Sequence, residues 1–235
     1  MHVREELIGD LREIRYSVEV NGESVPGLLI LPASEEGPLP LVFLQHPATS
    51  SKEDYFVRDV ALRWAQRGWA CGGIDAPLHG ERANFDPMGL FRDRSRYPAI
   101  VDQFANELTA VIDALAGHYP VDPARMAYIG YSMGSMLGVP AVARDGRFRV
   151  AAFCLVGEGG MVGPASGADS DVPRLETVAV RIVGKLSDEL IPREATDALY
   201  AALPGEKDIS WLPGGHFEIG PDVIRAAEEW VVSHL

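Results

Sequence analysis

Cysteine is almost missing from this chain, which has Cys71 and Cys154 and no other. Each sits in an apolar run that reads as a strand, so a disulfide framework has no support and a reducing, cytoplasmic setting is expected. Long hydrophobic runs are missing as well. No apolar stretch approaches the roughly 18 residues of a membrane span, and the opening MHVREELIGD is charged where a signal peptide needs an apolar core. A soluble, unexported protein without a membrane partner is therefore expected. Positive charge is scarce: 21 Lys and Arg stand against 34 Asp and Glu, for a formal net charge of −13. Such a field repels phosphate backbones, which excludes nucleic acid as the expected partner. What is plentiful is apolar sequence, 47% of 235 residues, punctuated by 24 glycines and 17 prolines. With no repeat, low-complexity tract or linker, residues 1–235 read as a single domain.

Strand and helix signals alternate along most of the chain. Val18 to Val20 and Pro26 to Leu31 flank Asn21-Gly22, a dipeptide that tolerates positive φ, and predict an antiparallel hairpin near the start. Leu41 to Gln45 and Trp69 to Ile74 are continuous apolar runs, as in strands covered on both faces. Between them, Ser51 to Gln66 reads as a helix closed by Gly68. Asp75 to Pro98 carries turn formers without a sustained period and reads as a long functional loop. Ala99 to Tyr119 has one apolar face and predicts the most regular helix. Further short apolar runs, Met126 to Ile129, Val150 to Val156, Val178 to Val183 and Asp208 to Leu212, alternate with helical patterns at Met133 to Ala143, Arg193 to Leu203 and Asp222 to His234. Pro140 should shorten or kink the first of these helices. Gly157 to Glu176 reads as a loop across the top of the sheet. The pattern predicts an α/β fold, with a mostly parallel central sheet, helices on both faces and an antiparallel N-terminal hairpin.

Gly130-Tyr131-Ser132-Met133-Gly134 matches GxSxG, in which a strand turns sharply into a helix and exposes a strained serine. About 0.13 accidental matches are expected at this composition, so the surrounding pattern decides. The match falls where a predicted strand meets a predicted helix, the setting the motif requires. A serine hydroxyl needs a base to take its proton. His2 and His234 lie at the ends, His118 closes a helix, and His46 and His79 precede the serine. His216 remains, in the flexible Pro213-Gly214-Gly215-His216-Phe217 loop after a strand. Asp188, after the run Val178 to Val183, is the candidate acid that would orient it; the adjacent Glu189 could substitute.

Together GYSMG, GKLSDELIP and GGHF resemble the α/β-hydrolase superfamily, and ARMAYIGYSMGS is similar to its dienelactone hydrolase and prolyl-oligopeptidase-like small bacterial esterase branch. The resemblance runs from Leu39 onward. In that superfamily the loop after the third strand often reads His-Gly-x, and the residue after the pair donates one oxyanion N–H. Here the loop is His46-Pro47-Ala48-Thr49. Pro47 has no N–H, so the resemblance implies Ala48 as one donor and Met133 as the other. His46 would brace the loop. Dienelactone hydrolases use a cysteine nucleophile where this chain has serine. The segment from Asp75 to Arg82 also resembles a post-strand signature of the branch, with Asp75 and His79 read as turn-fixing residues.

Arg82, Arg92, Arg94 and Arg96 cluster in the loop expected beside the site. They read either as solvated charge or as a clamp for a substrate carboxylate, with Phe85, Met88, Leu90 and Phe91 as an apolar wall. Substrate contacts are accordingly expected from Phe91, Arg92, Arg94 and Arg96. Gly184-Lys185 lacks the rest of a phosphate loop, metal-ligand spacing does not arise, and no dinucleotide fingerprint follows a strand. No metal or other cofactor is implied. The expected activity is that of a serine carboxylesterase on small soluble esters of short acyl chain. A thioesterase, an acyltransferase and a non-catalytic small-molecule binder are the alternatives. A homo-oligomer is left open.

Overall fold

The computed structural model describes residues 1–34, 37–83, 94–158 and 171–235, and for Arg94 only the backbone. These residues form a nine-stranded sheet in the order β1-β2-β3-β5-β4-β6-β7-β8-β9. β2 (Leu11–Val20) and β3 (Glu23–Pro32) make the predicted hairpin. Asn21 and Gly22 turn it with φ of 52° and 83°, a left-handed pair that asparagine and glycine adopt most readily. The hairpin does not open the sheet, however. β1 (His2–Ile8) precedes it and pairs antiparallel with β2. Its residues are almost all exposed, so neither face carries the apolar signal from which a strand is read.

From β4 (Leu39–Gln45) and β5 (Ala70–Ile74) onward the sheet is parallel through β6 (Val121–Tyr131), β7 (Val150–Cys154), β8 (Ala179–Lys185) and β9 (Lys207–Leu212). Both faces are covered. On one, α1 (Arg58–Ala65) and α5 (Pro221–His234) bury Val60, Trp64, Ile224 and Val231; on the other, α2 (Tyr97–His118), α3 (Met133–Asp145) and α4 (Arg193–Ala202) bury Phe104, Leu108, Leu137 and Leu199. Burial on two sides is why β4, β5 and β7 read as apolar runs. Cys71 and Cys154 are free and buried, and burial pushes both thiols above their ordinary pKa. No helix of the described residues is long and apolar enough to cross a membrane.

Two helices depart from the sequence reading. The first begins at Arg58 rather than Ser51, because side chains compete for the backbone ahead of it. Asp54 accepts the Ser51 amide at 2.9 Å and the Ser50 hydroxyl at 2.8 Å, while Asp75 accepts the Lys52 amide at 2.9 Å. The third runs through Pro140 for 13 residues, from Met133 to Asp145, so the proline does not shorten it. Pro140 cannot bond the Met136 carbonyl, and the buried Tyr97 hydroxyl donates to that oxygen instead, at 3.2 Å.

The strand order reverses at β4, whose neighbours are β5 on one side and β6 on the other. Loops leaving the carboxyl ends there diverge and open a crevice. Buried polar groups hold the β4 and β5 loops together. His46 Nε2 accepts the Ala76 amide at 3.1 Å, which places the ring proton on Nδ1 facing the Pro47 carbonyl at 2.8 Å. Asp75 accepts Lys52 Nζ at 3.1 Å and the Glu81 amide at 2.9 Å. Lys52 is 1% exposed, and its ammonium also pairs with Glu81. Arg82 grips Glu107 through two bonds of 2.7 Å, a structural pairing that removes it from the expected substrate clamp. His79 packs with its ring 5.6 Å from that of His46 and bonds the Pro77 carbonyl through Nδ1 at 2.9 Å.

Two tests follow from this scaffold. Tyr97→Phe should leave the Met136 carbonyl unpaired and cost about 1 to 2 kcal/mol, read as a lower urea midpoint at unchanged slope. Burial lowers the pKa of both His46, to about 4, and His79. Below the ordinary histidine value near 6.5 the unfolded chain therefore binds protons that the folded one refuses, and stability falls as pH drops from there towards 4. Thermal melts across that window should show a declining Tm, with a shallower decline in His46→Gln; equal slopes in the two proteins would refute the assignment.

Candidate active site

Between β6 and α3 the chain turns within one residue. Ser132 holds φ 50° and ψ −111°, a conformation that costs a non-glycine residue about 1 to 3 kcal/mol. The surroundings sustain it. The Ser132 amide donates to the Cys154 carbonyl at 2.8 Å, and Ser135 Oγ bonds the carbonyls of Gly130 and Cys154 at 2.7 and 2.9 Å. Tyr128 donates its hydroxyl to the Gly134 carbonyl at 2.7 Å. Both motif glycines are steric requirements. A Cβ on Gly130 would come within 2.6 Å of the Gly134 backbone, and one on Gly134 within 2.4 Å of the Gln45 carbonyl oxygen.

Three side chains from separate parts of the chain meet at this turn. Ser132 Oγ lies 2.7 Å from His216 Nε2, and His216 Nδ1 lies 2.9 and 3.0 Å from the two carboxylate oxygens of Asp188. All three groups are nearly buried, with Ser132 at 6% exposure. A carboxylate at Nδ1 selects the tautomer with its proton there, leaving the Nε2 lone pair for the serine hydroxyl. Asp188 is itself oriented by the amides of Leu190 and Ile191, at 2.9 and 2.8 Å. Glu189 takes a different part: it accepts the backbone N–H of His216 at 2.8 Å, and that bond holds its carboxyl below the usual range. The ring thus faces Asp188, and the loop backbone faces Glu189.

A lysine that the sequence reading dismissed also holds the histidine loop. Lys185, at the end of β8 and 4% exposed, donates to the Pro213 carbonyl at 2.9 Å and to Asp222 at 2.8 Å. Its detectable signal was a charged residue at the carboxyl end of a predicted strand, where the next loop begins.

The cavity above Ser132 and His216 has a volume of about 470 Å³. Pro47, Ala48 and Thr49 form one side; Tyr55, Phe56, Leu190, Phe217 and Ile219 supply an apolar wall; Ser50 and Asp54 are its other polar members. Ala48 lies between a residue with no N–H and Thr49, whose φ is 63°. Met133 opens α3, where an amide has no carbonyl one turn earlier to bond. A wider depression of about 760 Å³ lies away from Ser132, beside Gly9, Leu62 and Gly68.

Of the expected wall and substrate clamp, only Arg96 and the structurally paired Arg82 have described side chains. Phe85, Met88, Leu90, Phe91 and Arg92 lie outside those residues, as does the side chain of Arg94. Arg96 is exposed in the 3-10 turn Arg94–Arg96 ahead of α2 and is absent from the lining. Tyr55, Phe56 and Phe217 were missed. The first two hid in a segment read as helix, and only the return of that segment over the sheet brings them to the serine.

No family profile matches the chain. A curated relative, Hydrolase acrC of Aspergillus aculeatus, is 29% identical in an alignment of 153 positions that covers 60% of this chain. The match spans only 33% of that relative's length. Solved structures are similar over the whole chain. A cold-adapted esterase from an Arctic intertidal metagenomic library superposes with a TM-score of 0.83 at 26% identity, covering 100% of both chains. An acetyl xylan esterase from Paenibacillus sp. R4 gives 0.74 at 18% identity, covering 100% of this chain and 89% of that one. A dienelactone hydrolase from Anabaena variabilis gives 0.69 at 22%, covering 97% and 100%. The chain has the α/β-hydrolase fold, and its structural neighbours include esterases and dienelactone hydrolases.

Proposed function

We propose that this protein is a serine carboxylesterase acting on small esters through an acyl-enzyme. The reading is carried by one observation, the 2.7 Å approach of Ser132 Oγ to a His216 ring whose other nitrogen faces Asp188. The esterases among its structural neighbours support the reaction class.

In the first half-reaction Ser132 Oγ attacks the ester carbonyl while His216 Nε2 takes the hydroxyl proton. The imidazolium so formed is stabilised by Asp188, and the Ala48 and Met133 amides donate to the developing oxyanion. Collapse of the tetrahedral intermediate breaks the bond to the alcohol, which leaves with the proton from His216. Water then repeats the sequence on the acyl-enzyme, freeing the carboxylic acid and restoring Ser132. The cavity's volume and apolar wall favour a small substrate. Asp54 is the one carboxylate in its described lining, which favours a neutral ester over an acidic one.

A fluorophosphonate probe should label the folded protein at Ser132, and Ser132→Ala should lower kcat/KM on p-nitrophenyl acetate by at least about 10⁴-fold. An unlabelled, inactive wild type would leave a binding protein instead. Faster turnover of a thioester, or product formed only with added alcohol, would point to a thioesterase or an acyltransferase. The two adjacent acids should separate cleanly. Asp188→Asn removes the charge at the imidazole and should cost about 10⁴-fold in kcat. Glu189→Gln keeps an acceptor for the His216 amide and should cost less than about tenfold; comparable losses in the two variants would contradict this division of roles.

A further inference from the structure

β1 stands apart from the catalytic cavity and from both cores. It is the outermost strand, paired with β2 along one edge, and its other edge faces nothing among the described residues. Val3 and Leu7 are 47% and 72% exposed on it, two of the seven exposed large apolar side chains among the described residues. An open edge with exposed apolar residues is a template for another strand.

The direction of its free backbone groups follows from the turn into β2. Ile8 and Leu11 close a two-residue turn with Gly9 at φ 59° in the first position, as in a type II′ hairpin. The closing pair of such a turn is hydrogen-bonded, so alternate residues, Ile8, Glu6, Arg4 and His2, direct their amides and carbonyls to β2. Val3, Glu5 and Leu7 direct theirs outward.

We infer that this edge is a dimerisation surface, on which β1 pairs antiparallel with β1 of a second copy of the chain. A two-fold axis joining two sheets edge to edge must run perpendicular to them, so each face maps onto itself and one residue of β1 lies on the axis. With Arg4 there, Arg4 opposes itself and Val3 opposes Glu5. With Glu6 there, Glu6 opposes itself and Leu7 opposes Glu5. Only Glu5 on the axis pairs the whole strand, and it sets Arg4 against Glu6 and Val3 against Leu7, each twice. In that register the outward groups of Val3, Glu5 and Leu7 meet one another and complete about six backbone hydrogen bonds.

The charges fit the geometry. Arg4 and Glu6, which already pair with each other within one chain at 2.6 Å, occupy the closer, non-hydrogen-bonded kind of pair, so across the axis the two couples form one alternating cluster of four charges. The two Glu5 side chains fall in the wider kind, and each is already held by Arg12 of its own chain through bonds of 2.7 and 3.2 Å. Charges on an edge strand ordinarily discourage indiscriminate pairing. Here they place like charges opposite one another in the close pairs of the two neighbouring registers, Arg4 on Arg4 or Glu6 on Glu6, and not in the close pairs of the register that pairs the whole strand.

Sedimentation velocity on the full chain over a concentration series tests this. Wild type should show a dimer whose fraction rises with concentration. Arg4→Glu and Glu6→Arg each place like charges opposite one another twice and should weaken the dimer about tenfold or more, whereas the double exchange Arg4→Glu/Glu6→Arg should restore it. Val3→Pro removes an outward N–H without touching a bond to β2 and should abolish the dimer while leaving the circular dichroism spectrum unchanged. A wild type that stays monomeric at every concentration overturns the inference, and so does a dimer indifferent to the single charge changes.

Discussion

The arrangement depends on how closely α3 approaches β4. The Gly134 backbone lies so near the Gln45 and His46 carbonyls that no side chain fits between them. That approach brings the loop after β4 beside the turn at Ser132, so Ala48 and the serine come to line one cavity. Gly130, crowded by the Gly134 backbone, makes the same turn tight from its other side. The strained φ of Ser132 persists because hydrogen bonds from Ser135, Tyr128 and its own amide fix the backbone around it. A relaxed turn would aim the hydroxyl elsewhere.

Around that contact the loops are held less by apolar packing than by buried charge. Lys52 with Asp75 secures the segment that carries Tyr55 and Phe56, and Lys185 with Asp222 secures the loop that carries His216. Arg82 with Glu107 fixes the chain leaving β5 to α2. Pairs of this kind contribute little net stability, since desolvation offsets their attraction, but losing one partner strands a buried charge. They define where a loop lies rather than how strongly the domain core holds. Reactive groups carried on loops need that definition within a fraction of an ångström.

The α/β order and the approximate limits of most buried strands were legible because burial on both faces leaves apolar runs such as Leu41 to Leu44 and Val150 to Cys154. The hairpin at Asn21-Gly22 was legible because positive φ restricts residue choice. β1 was not, since a strand exposed on both faces has no periodicity to read. The helix predicted from Ser51 was too long for a different reason: its apolar spacing was helical, but the competing acceptors, Asp54 and the distant Asp75, are recognised only when the chain is folded.

The candidate site divides along the same line. Ser132 was marked by its own neighbours, because the glycines that permit the turn must lie within two residues of it. His216 and Asp188 could be nominated from chain order and from their places after strands. Their meeting with the serine, and the division of labour between Asp188 and Glu189, belong to the tertiary structure alone. Sequence spacing encodes local sterics, whereas distances of 2.7 to 3.0 Å between residues 28 to 84 positions apart are set by the packing of the whole sheet.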